Sequence, residues 1–364
     1  MRIGEKHYRT IWLEADGASV GIIDQTLLPH RLEAVRLTCW EEAAEAISVM
    51  RVRGAPLIGA MAGYGYALAA AADPSDSALA RASESLAATR PTAVNLRWAL
   101  GEMAKTVLPL ARSDRAEAAF AKAAAICDDD VATCSAIGSH GLTLIREAAA
   151  KKRGPVNVLT HCNAGWLAAV DWGMSLSPIY KAHQEGIPVH VWVDETRPRN
   201  QGAALTAYEL AGEGVPYTVI ADNAGGQLMQ EGKIDLCIVG SDRIAANGDA
   251  ANKIGTYLKA LAAKDNDIPF YFAFPYSTID WSLERGVGMI PIEERSAREV
   301  THMTGRLADG TLMTVEIAAP GSKAANPAFD VTPARLTTAL ITERGICPAS
   351  REGLLSLYPE QRAA

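Results

Sequence analysis

The six cysteines of this 364-residue chain do not form pairs in the sequence. They are scattered as Cys39, Cys127, Cys134, Cys162, Cys237 and Cys347, with no C-x-x-C motif and no cysteine–histidine cluster at the spacing of zinc ligands. This pattern excludes a disulfide framework and offers no metal site. We therefore expect a protein of the reducing cytoplasm that holds no metal ion.

The chain also lacks long apolar runs and a strong charge of either sign. We find no run of about 18 apolar residues that would span a membrane, and no apolar signal core in the N-terminal MRIGEKHYRT. The net charge of −7 excludes a broad electrostatic attraction to nucleic acid. We expect neither a membrane nor a nucleic acid as a partner, whereas an anionic small molecule can bind wherever local donors hold it.

Two nucleotide-binding signatures are missing as well. No G-x-G-x-x-G follows a predicted strand, and no G-x-x-x-x-G-K-[ST] is present. We therefore predict no dinucleotide or nucleoside triphosphate cofactor.

The pattern of apolar residues divides the chain into two halves. Residues 10–37 hold short apolar runs around an ADGA turn, which predicts a small antiparallel sheet, and residues 40–150 show helical periodicity. From residue 151, strand-like runs at 156–160, 188–193, 216–220, 234–240 and 269–274 alternate with helical segments. This alternation predicts an α/β fold: an N-terminal sheet-plus-helix domain over 1–150, and a Rossmann-like, doubly wound parallel sheet over 151–364.

Polar residues collect where the predicted strands end. The segments are HCNAG (161–165), DETRPRNQG (194–202), ADNAGG (221–226) and SDRIAANGDAANKIGT (241–256). In open α/β sheets, ligands bind beyond the carboxyl ends of the strands. The sequence therefore predicts a functional site at this edge.

Cys162 is the first candidate at that edge. The residue is either a reactive thiol or a small buried hydrophobe, because structural cysteines are usually inert. A helix starting just after it would stabilise a thiolate. His161 should face the opposite side of the strand, so we expect it to be buried and hydrogen-bonded rather than to act as a base for Cys162.

Asp242 is the second candidate, because it ends an apolar strand where burial would raise its pKa toward neutrality and suit acid–base work. The alternative is a helix N-cap. For Asp194 and Glu195 we expect salt bridges to Arg197 or Arg199. Donors suited to a phosphate group occur in VRGAPLIGA (52–60), NQG (200–202) and ANK (251–253).

Several longer motifs together carry a family resemblance. They are VRGAPLIG, TRPTAVNLRWAL, THCNAG, DETRPRNQGAALTAYEL, GSDRIAANGDAANKIGTY, IPIEERS and NPAFDVTPARLTTALITERG. Over nearly its whole length the chain resembles the methylthioribose-1-phosphate isomerase family. That family shares a superfamily with ribose-1,5-bisphosphate isomerases and with regulatory subunits of a translation-initiation exchange factor.

The resemblance implies both an activity and a site. The activity is conversion of 5-methylthioribose 1-phosphate to the corresponding ribulose 1-phosphate in methionine salvage, by a cytoplasmic homodimer without cofactor or metal. The implied catalytic pair is Cys162 and Asp242. The implied substrate-binding set is Arg53, Gly54, Ala55, Arg90, Gln201, Asn252 and Lys253, of which only Arg90 is suggested by the resemblance alone.

Two alternatives and one variation accompany this interpretation. The chain could be a non-catalytic regulatory sugar-phosphate-binding module, or a ribose-1,5-bisphosphate isomerase. The segment after Cys162 carries Trp166 and Trp172 where typical members have smaller residues, a variation associated with relatives that also accept 5-deoxyribose 1-phosphate. We expect both tryptophans to be packing residues.

Overall fold

A computed structural model of the chain describes residues 1–3, 6–91 and 93–363. Four residues lie outside the described part of the chain. They are residues 4 and 5 of the predicted N-terminal domain, residue 364 of the predicted C-terminal domain, and Thr92 of the TRPTAVN motif.

Within the described residues, the first half of the chain contains five short strands and five α-helices. The strands are β1 (Arg2–Ile3), β2 (Lys6–His7), β3 (Ile11–Leu13), β4 (Val20–Ile23) and β5 (Ala34–Leu37). The helices are α1 (Trp40–Ser48), α2 (Ala55–Ala72), α3 (Asp76–Thr89), α4 (Val94–Val107) and α5 (Arg115–Ala150). β3, β4 and β5 form an antiparallel sheet, which confirms the small sheet predicted for residues 10–37.

The second half alternates strands and helices. Its strands are β6 (Val156–Thr160), β7 (Val189–Asp194), β8 (Tyr217–Ile220), β9 (Leu236–Val239), β10 (Arg243–Ala245), β11 (Ala250–Lys253), β12 (Phe270–Ala273), β13 (Ile279–Asp280), β14 (His302–Arg306), β15 (Leu312–Glu316), β16 (Phe329–Thr332), β17 (Ala339–Thr342) and β18 (Gly345–Cys347). Its helices are α6 (Ser177–Gln184), α7 (Ala207–Gly212), α8 (Gly225–Gln230), α9 (Thr256–Asp265), α10 (Arg298–Thr301) and α11 (Arg351–Leu357).

A seven-stranded sheet forms the centre of this half, in the order β18-β17-β12-β9-β6-β7-β8. All neighbours pair in parallel except β17 with β18. The five predicted strands are all present, and the predicted Rossmann-like fold is confirmed. Numbered along the chain, the six parallel strands have the doubly wound order 3-2-1-4-5-6, in which the winding reverses between β6 and β9.

Helix α5 connects the two halves. Near its N-terminal end, Ala123 and Ile126 lie against Gly63 of α2, and near its C-terminal end, Gly141 lies against Pro178 of α6. The absence of a side chain at Gly141 permits this approach, because a Cβ there would lie 2.5 Å from Pro178. The helix ends at Ala150, but it packs on both halves, and the division of the chain into two domains at that point stays a prediction.

Helix α2 corrects the expectation that the chain lacks a run long enough to span a membrane. By length and composition this helix could cross one. In the structure, however, 83% of it is buried inside the protein. It packs against α1, α3, α4 and α5, as the core helix of a helical layer does.

Candidate functional site

The carboxyl ends of β6 and β9 face a cavity where the winding of the sheet reverses. Eight of the nine residues predicted for the site line it: Arg53, Gly54, Ala55, Arg90, Cys162, Gln201, Asp242 and Lys253. The other lining residues are Met50, Ile58, Ala93, Arg199, Arg243, Ala251, Ile290, Pro291, Arg295 and Phe329. The cavity therefore combines residues from both halves of the chain.

The ninth predicted residue, Asn252, faces away from the cavity. It lies on β11 between Ala251 and Lys253, both of which line the cavity, and successive strand side chains point to opposite faces. Its amide Nδ2 donates to Thr256 Oγ1 at 3.0 Å. The side chain of Asn252 therefore orients the start of α9 in this structure.

Cys162 is held in a strained backbone conformation at the end of β6. Its φ is +67°, in the left-handed region that costs non-glycine residues free energy. The backbone N–H of Cys162 donates to Thr196 Oγ1 at 2.8 Å, and its carbonyl accepts from Thr206 Oγ1 at 2.7 Å. These bonds from two other segments fix the thiol at the cavity wall, where its Sγ lies 3.5 Å from Gln201 Oε1.

The expected helix after Cys162 is wrong. Among the described residues that follow, the chain makes a 3₁₀ turn at Trp166–Ala168, and the next α-helix starts at Ser177. Burial raises the pKa of the Cys162 thiol, and the positive charges of Arg53 and Lys253 oppose that rise without cancelling it. The resting side chain is therefore a neutral thiol that donates to Gln201.

Asp242 follows β9 and begins a turn into β10 rather than a helix, so the N-cap alternative is wrong. Its backbone N–H donates to Ala251 O at 2.9 Å. Burial raises the pKa of Asp242 above the ordinary 3.8, although neighbouring cations oppose the rise. The carboxyl group thus keeps its proton to a higher pH than an exposed aspartate would.

The cavity is strongly basic although the chain is acidic. Its six basic lining side chains are Arg53, Arg90, Arg199, Arg243, Lys253 and Arg295. Glu293 and Glu299 hold three of these arginines in place through ion pairs of 2.8–3.2 Å. Arg90 Nε is buried and has no hydrogen-bond partner within the described part of the chain. Such a set of donors suits an anion with several oxygens.

The start of α2 adds backbone donors to this set. Gly54 precedes the helix with a φ of +96°, and a Cβ there would lie 2.5 Å from Ala168 Cα. The glycine therefore lets the N-terminus of α2, with the unpaired N–H groups of its first turn, come close to the loop after Cys162. A helix N-terminus oriented in this way favours a phosphate group.

His161 is buried and hydrogen-bonded, as predicted. Its Nδ1 lies 2.8 Å from Asp194 Oδ2 and its Nε2 lies 2.9 Å from Ile254 O. The prediction that Asp194 pairs with Arg197 or Arg199 is wrong, because Lys259 Nζ lies 3.1 Å from the same carboxylate. His161, Asp194 and Asp222 have the composition of a metal site. The contacts of Asp194 with His161 and Lys259 both involve Oδ2, and Asp194 Oδ1 is buried without a hydrogen-bond partner among the described residues.

The two tryptophans in the segment after Cys162 pack as expected. Trp166 is fully buried in the core beneath the sheet, and Trp172 packs at its margin with Lys181 Nζ 4.4 Å from the ring centroid. They lie outside the cavity lining.

Three basic residues of the cavity were not predicted from the sequence: Arg199, Arg243 and Arg295. Arg199 stands in DETRPRNQG, where a salt bridge to Asp194 or Glu195 was expected. Arg243 and Arg295 stand in the motifs GSDRIAANGDAANKIGTY and IPIEERS, but neither was chosen as a site residue. Phe329, within the resemblance motif that begins NPAFDV, also lines the cavity and was not predicted. A second cavity of about 580 Å³ adjoins the first and shares Met50, Arg53, Arg199 and Gln201 with it.

Comparison with known proteins gives consistent results. The Initiation factor 2 subunit family matches residues 51–349. A methylthioribose-1-phosphate isomerase of Methylorubrum extorquens is 65% identical over 364 residues, which is the full length of both chains. The 5-methylthioribose 1-phosphate isomerase of Pyrococcus horikoshii OT3 has a TM-score of 0.82 at 40% identity, covering 98% of this chain and 97% of that one.

A second solved structure carries a different name. The translation initiation factor eIF-2B subunit delta of A. fulgidus has a TM-score of 0.79 at 37% identity, and the match covers 97% of this chain and all of that one. Proteins named for catalysis and for translation initiation thus share this fold.

Replacing Gly54 by alanine tests whether the close approach of α2 to the loop after Cys162 requires a glycine. We expect Gly54→Ala to lower the free energy of unfolding by more than about 1 kcal/mol, since its φ is unfavourable and its Cβ meets Ala168. The control Gly101→Ala, in α4 with open space around its Cβ, should be neutral or stabilising by up to about 1 kcal/mol. Denaturant titration measures both. Equal stability of the two variants would contradict this close approach of α2.

Proposed function

Because the chain belongs to the methylthioribose-1-phosphate isomerase family, we propose that it converts 5-methylthioribose 1-phosphate into 5-methylthioribulose 1-phosphate. The observation that carries this proposal is the joint placement of a neutral buried thiol, a carboxyl group of raised pKa and six basic side chains around one cavity. An aldose 1-phosphate needs a proton donor for its ring oxygen, since its phosphate blocks simple ring opening, and it needs basic groups to hold that phosphate.

The phosphate group would lie between the N-terminus of α2 and the basic side chains. Arg90 supports this placement, because its buried Nε lacks a partner among the described residues while its Nη2 is held 3.2 Å from Glu293. Lys253 is held by Ala328 O at 2.8 Å. Both cations are therefore positioned before the ligand arrives, which reduces the free-energy cost of binding.

The chemistry follows from the protonation states. Asp242 donates its proton to the ring oxygen, the bond from that oxygen to carbon 1 breaks, and carbon 1 becomes electron-poor. The hydrogen on carbon 2 then moves to carbon 1 with its electron pair, and the hydroxyl on carbon 2 loses its proton to Asp242 as the ketone forms. The neutral thiol of Cys162 supports this hydride path over abstraction of a proton by a thiolate.

We also infer that 5-deoxyribose 1-phosphate is a substrate. It differs from the methylthio sugar only in lacking the sulfur-bearing substituent, and its reacting carbons and phosphate are the same. The adjoining 580 Å³ cavity provides space for either 5-substituent beside Met50. The proposed chemistry therefore does not depend on which substituent is present.

The regulatory and bisphosphate alternatives are less well supported. A regulatory module would not need a carboxyl group of raised pKa beside a buried thiol, and the 65% identity is to a protein named as an isomerase. The bisphosphate alternative has no comparable support, because full-length relatives at 64–65% identity are named methylthioribose-1-phosphate isomerases.

The proposed working form is a cytoplasmic homodimer. All six thiols are free, which suits a reducing compartment. The hairpin of β14 and β15 exposes Leu307, Leu312, Met313, Val315 and Ile317. An exposed apolar surface of this kind marks a protein interface, and a two-stranded hairpin gains stability by packing on a partner. A nucleic acid or membrane partner is not part of this proposal.

The first test is ketose formation from each sugar phosphate by the wild type, Cys162→Ser and Asp242→Asn. We expect turnover by the wild type and a loss of about 10²–10⁴-fold in kcat for Asp242→Asn, the usual contribution of a positioned acid–base group. Cys162→Ser should also lower kcat, because the thiol lies at the cavity wall beside Gln201. Thermal melting confirms that the variants are folded. Absence of turnover by folded wild type with both sugars would overturn the isomerase proposal.

The pH dependence of the rate tests the role of Asp242. Its acid form is active, and burial raises its pKa, so kcat/KM should be sustained at low pH and fall as pH rises through that pKa. Asp242→Glu should keep this descending limb, and the residual activity of Asp242→Asn should lack it. A wild-type kcat/KM that rises with pH to a plateau would indicate that the carboxylate is the active form.

The path of the hydrogen can be followed in deuterium oxide. Direct hydride transfer predicts that carbon 1 of the ketose carries no deuterium, as measured by mass spectrometry of the product at low conversion. Incorporation close to one atom per turnover would instead show abstraction by a base that exchanges with solvent.

A further inference from the structure

Glu209 is a fully buried carboxylate beneath the loop that carries Cys162. It lies on α7, is 1% exposed, and does not line the cavity of the site. Four donors surround it. Asn163 Nδ2 and Leu167 N donate to Oε1 at 2.8 and 3.0 Å, while Trp166 N and Tyr180 OH donate to Oε2 at 2.8 and 2.7 Å. Burial raises the pKa of Glu209 and these hydrogen bonds oppose the rise, so the donors satisfy the buried carboxyl oxygens without a basic partner.

These bonds connect Glu209 to the site. The side-chain amide of Asn163 donates to Glu209 on one side, and on the other side its Oδ1 accepts from Arg53 Nη1. A second bond, from Arg53 Nη2 to the carbonyl of Asn163, measures 2.9 Å. The position of the Arg53 guanidinium therefore depends on the loop, and the loop depends on Glu209.

The local sequence accommodates this carboxylate. A Cβ at position 165 would lie 1.8 Å from Glu209 Oε2, so the glycine at that position is required by the close approach. The backbone N–H groups of Trp166 and Leu167, at the start of the 3₁₀ turn, donate to the Glu209 carboxylate. The segment that carries Glu209 also holds Cys162 through Thr206 Oγ1.

We propose that Glu209 is a positioning residue that fixes the Cys162 loop and the Arg53 guanidinium relative to each other. Neither role requires contact with the substrate. The proposed isomerase function is needed for the kinetic readout of this inference, but not for its chemical readout.

The test compares Glu209→Gln with the matched control Tyr180→Phe. In Glu209→Gln, one carboxylate oxygen becomes an amide nitrogen, which cannot accept the hydrogen bonds of the two donors that face it. Tyr180→Phe removes only one hydrogen bond and leaves the carboxylate in place. We expect Glu209→Gln to lose about 10²-fold in kcat/KM, the scale of a 1 Å misplacement, and Tyr180→Phe to lose far less. Thermal melting of both variants controls for folding.

A double-mutant cycle with Asn163→Ala tests whether Glu209 acts on Arg53 through Asn163. If Glu209 acts through Asn163, Glu209→Gln should reduce kcat/KM by less than about threefold further in the Asn163→Ala background. Independent structural effects would multiply instead, and that result would overturn the proposal.

The chemical readout is the rate at which iodoacetamide alkylates Cys162, located by mass spectrometry. Loosening of the loop in Glu209→Gln should accelerate alkylation of Cys162 and leave Cys237, buried on β9, unchanged. Equal acceleration at both cysteines indicates general destabilisation, and no acceleration at Cys162 indicates that the loop is held without Glu209. Either result would overturn the positioning role, whatever the substrate of the protein.

Discussion

The parallel pairing of β6 with β9 is the contact on which the candidate site depends. Val158 pairs with Leu236 and Leu159 with Cys237. The chain winds outward from β6 through β7 to β8, and outward from β9 through β12 to β17, so a crevice opens beyond their carboxyl ends. Because side chains alternate along a strand, a shift of one residue in this register would turn the residues at one strand end away from the other.

A second constraint is the balance of charge in a cavity that collects cations within an acidic protein. Six basic side chains would repel one another without nearby anions. Glu293 and Glu299, outside the lining, pair with Arg90, Arg199 and Arg295 and so fix their directions. The charges that would bind an anion are thus placed during folding, and binding requires little reorganisation.

The sequence predicts the sheet well and the loops poorly, for physical reasons. Strands such as IDLCIVG are continuous apolar runs of the kind that parallel sheets bury on both faces. β10 and β11 were missed because three or four residues in an Ala- and Asn-rich segment give no periodicity. The segment after Cys162 looked helical because WLAAV is apolar, whereas its amides are bound by Glu209, more than forty residues later in the chain.

Some residues of the candidate site could likewise be predicted from the sequence, and others could not. Cys162 and Asp242 could be predicted because strand ends in a parallel sheet converge wherever they lie in the sequence. Arg90 could not be derived from the residues alone, because it ends helix α3 in the other half of the chain and reaches the cavity only through tertiary packing. Asn252 was placed in the site because ANK offers polar donors and because of the resemblance, yet strand alternation directs its side chain away.

The protonation states of Cys162 and Asp242 have a consequence for the bound state. Burial raises the pKa of both groups, and the nearby positive charges oppose that rise without cancelling it. A substrate phosphate would bring negative charge into the same cavity and offset those positive charges. The pKa of each group should therefore rise further in the complex, so binding reinforces the neutral thiol and the acid form of Asp242. A mechanism that begins with a thiolate would have to work against this shift, whereas donation from Asp242 is assisted by it.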